Sequence, residues 1–368
     1  MKKKIMHIAQ SAGGVDKYIQ MLVSNTDRDN IDNILVCSFD FNKENYEGKV
    51  TAFEQVDMIR EINPVSDLKA ILNVRKLIKK YKPDYVYMHS SKAGAIGRVA
   101  NIGLKNKVLY NPHGWAFNME CSSKKKTIYR SIERILASLT DTIVAISNAE
   151  KKSALDNKIC NENKIEVIFN GIDIKRYDEK KYSLTRKDLG IPEDAYVIGS
   201  VGRLSKQKAP DVFVRAAKQI KEEIPEAFFL WVGDGEDRSE IEKLIKELNL
   251  EDSFIIVGWI NDAMEYIRLF DQAMLLSRWE GFGLVLAEYM MANKPIIATR
   301  VDAIPDLITD MSNGILVDVD NAERAYEASL KIYNDIKLSK RIAEKGNEVV
   351  REKFDIKRVV EQHNKLWK

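Results

Sequence analysis

Short apolar runs alternate with amphipathic stretches along the whole chain. In the first half, residues 5–8, 34–37, 85–88, 107–110 and 142–146 are nearly unbroken runs of aliphatic and aromatic side chains. That is the pattern of parallel strands covered on both faces. Between them, residues 67–81 and 124–137 repeat apolar positions at helical spacing. The alternation predicts an α/β domain built on a doubly wound sheet. A second series begins after residue 190, with strand-like runs at 197–201, 227–232, 254–257, 273–276 and 295–298. The polar, charged stretch 175–187 between the two series reads as a linker, and residues 354–368 read as a terminal helix. No internal repeat or low-complexity segment interrupts the pattern.

A length of 368 residues is enough for two such domains. With 45% hydrophobic and 31% charged residues the balance is that of an ordinary water-soluble protein. A net charge of +3 gives no general attraction to nucleic acid, so none is expected as a partner. Cys37, Cys121 and Cys160 have no C-x-x-C spacing, which argues against a thiolate metal cluster and fits a reducing cytoplasm. The apolar run behind Lys2-Lys3-Lys4 is too short for a signal peptide, and no run of about 18 apolar residues exists. Any membrane contact is therefore expected to be peripheral, on the inner face of the cell membrane.

The most informative segment is Ser277-Arg278-Trp279-Glu280-Gly281-Phe282-Gly283-Leu284-Val285-Leu286-Ala287-Glu288. From 284 to 292 every residue is apolar except Glu288, the signature of a buried helix. A carboxylate there must be paired, neutralised or bound to a ligand, because burying it bare is costly. Glu280 precedes a Gly-Phe-Gly turn whose backbone N–H groups open the helix, where an anion or a hydroxyl-rich ligand docks. On spacing alone, structural ion pairs and ligand contacts are both open for the two glutamates.

The segment Glu280 to Glu288 resembles the E-x7-E signature of retaining nucleotide-sugar glycosyltransferases, in particular glycosyltransferase family 4. Residues 293–299 and 302–306 resemble the family's next strand and acidic loop, and further matching segments in the same order extend the likeness over nearly the whole chain. The resemblance implies the GT-B fold, two Rossmann-like doubly wound domains facing across a cleft. Residues 1–176 would be the acceptor-binding domain, with the helix 355–368 crossing back onto it, and 177–354 the donor-binding domain. It also implies transfer of a sugar from a nucleotide donor, most often UDP-linked, to a hydroxyl of a glycan or polyprenyl-linked glycan. Resemblance to bacterial capsule and exopolysaccharide enzymes points to cell-surface polysaccharide synthesis.

Site residues carry over by position. Arg203 and Lys208, on a loop after a strand, match the clamp on the leaving diphosphate; without the resemblance they read equally as a solvated basic loop. Glu288 matches the residue that accepts from the ribose hydroxyls, and Glu280 the one beside the donor sugar. The amides of Phe282 and Gly283 would meet the sugar, and those of Leu284 and Val285 the phosphates. Gly233, in a turn that could also be merely structural, would lie under the nucleotide. Gly258, Trp259 and Ile260 would read the base, although Trp259 could equally cover the surface. On the acceptor side, Gly13 and Gly14 match the family's Gly-Gly loop, with Gly14 reaching the donor phosphates. His113 matches the histidine that contacts donor sugar or acceptor, with His89 behind it and Trp115 beside it.

Arg203, Lys208 and the helix N-terminus take the part a divalent ion plays elsewhere, so neither metal nor cofactor is expected. Residues 124–137 set Lys124, Lys125, Lys126, Arg130 and Arg134 against Ile128, Ile132, Ile135 and Leu136. This suits either a helix packed on its own sheet or a cationic helix on an anionic membrane. Three other readings of the chain remain: a nucleotide-sugar epimerase of the same fold, a non-catalytic nucleotide- or carbohydrate-binding protein, and a dehydrogenase. The last is disfavoured because Ser11-Ala12-Gly13-Gly14 is not G-x-G-x-x-G.

Overall fold

The computed structural model describes residues 2–59, 61–119 and 121–367. Its contacts divide the chain into two compact units, one formed by Met1–Gly171 with Ile356–Lys368 and the other by Ile172–Asp355. Each is a helix-covered parallel sheet, as the alternation of apolar runs and amphipathic stretches predicts.

Unit 1 holds β1 (Lys3–Ala9), β2 (Ile31–Cys37), β3 (Ala52–Gln55), β4 (Tyr85–His89), β5 (Lys107–Asn111), β6 (Thr142–Ala145) and β7 (Ile165–Val167). They are ordered β3-β2-β1-β4-β5-β6-β7, every neighbouring pair parallel. The winding reverses between β1 and β4, where the connections leave to opposite sides. Alternate strand residues feed two apolar layers. Met6, Ile8, Val86, Met88 and Val108 pack under the helices Pro64–Tyr81 and Ser91–Ala100. Ile5, Ala9, Tyr85, Tyr87 and Leu109 pack with the helix Gly14–Asn25, with Val359 and Val360 of the C-terminal helix Ile356–Leu366, and with Trp367 just after it. That last helix thus completes one apolar layer of the first sheet.

Unit 2 repeats the plan with β8 (Tyr196–Val201), β9 (Ala227–Val232), β10 (Phe254–Gly258), β11 (Gln272–Leu275), β12 (Ile296–Thr299) and β13 (Ile315–Val317). Their order is β10-β9-β8-β11-β12-β13, again all parallel, and the reversal falls between β8 and β11. Phe213, Phe229, Trp231 and Phe254 meet largely edge to face in its core, an arrangement that suits the ring quadrupoles.

The stretch 175–187 is not a free linker. It overlaps the helix Ile174–Glu179, and several of its charges are bonded within unit 2. Lys180 pairs with Asp262 at 2.5 Å, and Arg186 grips the Leu269 and Ala195 carbonyls and the Asp271 carboxylate. Polarity alone could not show this, because the partners lie some eighty residues away. No helix among the described residues is long and apolar enough to cross a membrane.

Candidate active site

Open parallel sheets bind ligands beyond the carboxyl ends of their strands, where the winding reverses. In unit 2 that place is flanked by the loops after β8 and β11. The first carries Gly202 to Lys208 and leads into the helix Pro210–Glu223; the second carries Ser277 to Gly283 and leads into the helix Leu284–Met291. Lys208 Nζ and Glu280 Oε2 meet there at 2.5 Å, their side chains largely covered. Ser277 Oγ donates to the same carboxylate oxygen at 3.2 Å, and the Glu280 N–H donates to Asp302 Oδ2 at 2.9 Å. Burial holds the Asp302 carboxyl above its ordinary range, the nearby Glu280 charge adding to the effect. Glu280 is thus fixed at both backbone and carboxylate.

Gly283 starts the following helix with φ +80°, and no side chain caps that end. Uncapped N–H groups at a helix start form an anion site. The helix buries Leu286, Ala287, Tyr289, Met290 and Met291, while Leu284, Val285 and Glu288 are only partly covered. Its all-round apolar sequence therefore still leaves one polar-tipped face. Tyr177 donates to Glu288 Oε1 at 2.9 Å. Burial and the Glu288 charge together hold the Tyr177 phenol protonated. Tyr289, whose hydroxyl accepts from the Val201 N–H at 2.7 Å, lies in the field of both Glu280 and Glu288.

Arg203 is placed differently. Its guanidinium is mostly exposed and pairs with Glu236 at 2.8 Å, apart from the Lys208–Glu280 pair. Gly233, with φ +139°, lies so close to the Gly202 carbonyl that an added Cβ would sit 2.1 Å from it, so only glycine fits there. Phe282 is buried, Gly258 ends β10 and Ile260 is partly covered on the loop beyond it. The Trp259 ring is 77% exposed.

In unit 1 the reversal between β1 and β4 carries a neutral cluster. His89 is the last residue of β4 and wholly buried. It bonds His113 at 3.0 Å and His7 at 3.1 Å. His113 follows β5 with φ +50°, held by its N–H to Asn111 Oδ1 at 2.9 Å and by the Gly114 N–H to Glu150 Oε1 at 2.6 Å. Burial pushes the pKa of His113 down to about 3 and that of His89 well below 6.5, with neighbouring histidines adding repulsion. Burial raises Glu150 to about 7 against the pull of two backbone N–H groups. Gly13, φ +95°, caps the turn after β1, and Gly14 is the first residue of the helix that follows.

Trp115 requires a correction. The sequence sets it on the acceptor side, but its indole is 1% exposed, stacked on Phe117, with Nε1 donating to the Glu150 carbonyl at 2.9 Å. Its place is in the core, because a ring this large under a helix finds no better burial. The basic helix, Ser123–Ala137, also departs from expectation. Glu133, Leu136 and Ala137 face inward, while Ile128 and Ile135 are exposed. Arg130 and Arg134 bond Asn157, and the exposed cations of the helix are Lys124, Lys125 and Arg134.

Sequence reasoning quoted Ser277 and Asp302 without a role and missed Tyr177 beside the glutamates, and His7, Asn33 and Glu150 behind His113. The histidines had a signal: His7 and His89 both fall in strands beside the reversal, where a polar ring among apolar neighbours needs a partner.

Two doubly wound parallel sheets, each with loops gathered at its reversal, are the framework of the GT-B fold. Residues 12–176 match the family model Glycosyltransferase Family 4 and residues 182–349 match Glycosyl transferases group 1. The chain is 30% identical over 295 residues to the Escherichia coli UDP-Gal:alpha-D-GlcNAc-diphosphoundecaprenol alpha-1,3-galactosyltransferase, covering 78% of this chain and 76% of that protein. It is 25% identical over 344 residues to the Staphylococcus aureus capsular polysaccharide biosynthesis glycosyltransferase CapM, covering 92% and 90%. Anabaena Alr3699/HepE, solved with UDP-glucose, superposes with a TM-score of 0.83 over 99% of this chain and 98% of that one at 21% identity, a likeness of fold. The chain therefore belongs to glycosyltransferase family 4.

Proposed function

We propose that this glycosyltransferase is a retaining, metal-independent enzyme that moves a hexose from a UDP-sugar to a hydroxyl of a lipid-linked or other glycan in cell-surface polysaccharide synthesis. The Lys208–Glu280 pair at the reversal of the second sheet carries the reading. The UDP-sugars and the diphosphoundecaprenol acceptor named for its relatives support the substrate classes.

In this reading residues 177–354 bind the donor, and 1–176 with 355–368 bind the acceptor. Lys208 and the amides at 284 and 285 hold the diphosphate together with Arg203, so that charge on the leaving oxygen is met by hydrogen-bond donors. Arg203 changes partner from Glu236 to phosphate. Glu288 holds the ribose, steadied by Tyr177, while Gly233, Gly258, Trp259 and Ile260 flank the base. Glu280 accepts from hydroxyls of the donor sugar beside the amides of Phe282 and Gly283, and His113 contacts the sugar or the acceptor near Gly13 and Gly14. The bond from the anomeric carbon to the phosphate oxygen breaks while the acceptor oxygen bonds to that carbon on the same face. A donor phosphate oxygen takes the acceptor's proton. No carboxylate serves as nucleophile, so the paired acids of glycoside hydrolysis are not needed. Lys124, Lys125 and Arg134, with exposed Ile128 and Ile135, give the enzyme a peripheral hold on an anionic inner membrane face.

Anomeric proton coupling of the product, followed by NMR during transfer from UDP-galactose or UDP-glucose to a diphospholipid-linked sugar, tests this. The expected product keeps the donor's α-configuration in the presence of EDTA. Inversion, or activity restored only by a divalent ion, would overturn it.

A further inference from the structure

The sequence contains four histidines, and all four lie in unit 1. Three of them form a single hydrogen-bonded row that crosses the sheet from strand to neighbouring strand. Asn33 Oδ1 on β2 bonds His7 Nε2 on β1 at 3.1 Å. His7 Nδ1 bonds His89 Nε2 on β4 at 3.1 Å, and His89 Nδ1 bonds His113 Nε2 beyond β5 at 3.0 Å. The order β2-β1-β4-β5 is the order of the strands in the sheet. Asn33, His7 and His89 are buried, and His113 alone is partly open.

Elementary hydrogen-bond chemistry gives the row a direction. An amide oxygen only accepts, so His7 Nε2 must carry a proton. A neutral imidazole has one N–H, so His7 Nδ1 is a lone pair and accepts from His89 Nε2–H. By the same step His89 Nδ1 accepts from His113 Nε2–H, and His113 Nδ1 is left as a lone pair. The rings stay neutral because burial disfavours the imidazolium, holding His7 at about 4 and His113 at about 3. The fourth ring is set the other way. His363 Nδ1 meets the Val359 carbonyl at 2.8 Å and must donate, so its Nε2 is a single lone pair facing the Tyr18 and Tyr87 hydroxyls at 2.9 and 3.1 Å, with room to accept from one of them.

We infer that Asn33, His7 and His89 are positioning residues whose one-way hydrogen-bond row fixes His113 as the Nε2–H tautomer, so that it presents a lone pair at Nδ1 to a hydroxyl that donates. The inference rests on the reading of His113 as a sugar or acceptor contact and deepens it. The ring's place is fixed independently, by the edge of Tyr18 at 4.8 Å between centroids and by the Asn111 and Glu150 bonds to the 113–114 backbone. A group bound at Nδ1 must then bring its own proton, which selects a sugar hydroxyl over a carboxylate, phosphate or carbonyl oxygen. The row is the second-sphere arrangement that sets a histidine's free nitrogen through the bond made by its other one.

Long-range proton–nitrogen correlation spectra of the full chain with labelled histidine test the row without any substrate. At pH 7 three rings should be Nε2–H, His113 among them, and His363 should be Nδ1–H. His89→Leu removes the acceptor for His113 Nε2–H; His113 should then show mixed tautomers, and kcat should fall about tenfold with the donor KM unchanged. His89→Asn, whose amide oxygen can stand where Nδ1 stood, should restore both the tautomer and most of the turnover. A wild-type His113 protonated at Nδ1 overturns the inference, whether or not the variants fold. So does a folded His89→Leu with unaltered His113 tautomer and kcat. The expected tautomers together with a His113→Ala variant of wild-type turnover would leave the row standing and sink the sugar-contact reading instead.

Discussion

At the reversal of the second sheet lies a charged pair, Lys208 with Glu280; at the reversal of the first lie neutral rings, His7, His89 and His113. The strands are wound alike, so topology does not account for the difference. Partners do. Lys208 and Glu280, on loops beyond β8 and β11, carry opposite charges that compensate each other, whereas His7 and His89, in the strands themselves, bond Asn33 and other imidazoles, which are neutral. Inside the sheet a charge is expensive, and polar groups survive by hydrogen-bonding to one another in neutral form. On the proposed function, one sheet end meets phosphate and the other meets uncharged hydroxyls.

The largest effect expected from breaking this contrast is on turnover. Glu280→Ala should lower kcat by a factor on the order of 10²–10³, the size seen when one prearranged group is lost from a transition-state site, while the donor KM changes little. Glu288→Ala should do the reverse, raising the donor KM about tenfold or more through loss of a charge-assisted bond of about 1.5–3 kcal/mol. Steady-state kinetics with a UDP-sugar separate the two, and identical profiles would erase the distinction between the glutamates.

Acid should weaken the first unit selectively. In the unfolded chain each imidazole titrates near 6.5, but in the fold His7 and His363 hold to about 4 and His113 to about 3. Between those values the unfolded chain binds more protons, so their contribution is full above pH 6.5 and is lost as pH falls toward 4. Each ring adds a slope of up to about 1.4 kcal/mol per pH unit in that window. Glu150 acts with the opposite sign: with its folded pKa raised from 4.5 to about 7, it favours folding below 4.5 and loses that contribution as pH rises through 7. Three rings outweigh one carboxyl, so urea unfolding at pH 7, 6 and 5 should show stability falling steadily. A flat profile would mean the rings are not buried neutral.

The smallest effect belongs to the surface. Glu236→Ala removes the Arg203 partner, but both side chains are exposed, and stability should change by no more than about 0.5 kcal/mol. A clear loss in a thermal melt would show that Arg203 is anchored more firmly than its exposure implies.

Much of this was legible in the residues. Ten strands appear as apolar runs; the three that do not, β3, β7 and β13, are edge strands of three or four residues, too short to show a period and in β3 and β7 partly exposed. The segment 280–288 announced itself because a carboxylate in an apolar helix needs a partner. Its actual partner, Tyr177, lies 111 residues away in a stretch whose polarity suggested a linker, and only folding joins them. His113 and His89 were each visible, but not the row, because sheet order rather than chain order makes His7 the next link. Trp115 misled because an aromatic ring beside a site residue looks the same in sequence whether it faces a ligand or the core.

The most direct measurement is UDP binding by isothermal titration calorimetry to wild type, Lys208→Ala and His113→Ala. Lys208→Ala should weaken binding about tenfold or more, a loss of about 1.5–3 kcal/mol for one charged contact to phosphate, while His113→Ala should bind UDP as wild type does. Equal affinity in wild type and Lys208→Ala would contradict the assignment of the Lys208–Glu280 end of the second sheet to the donor diphosphate.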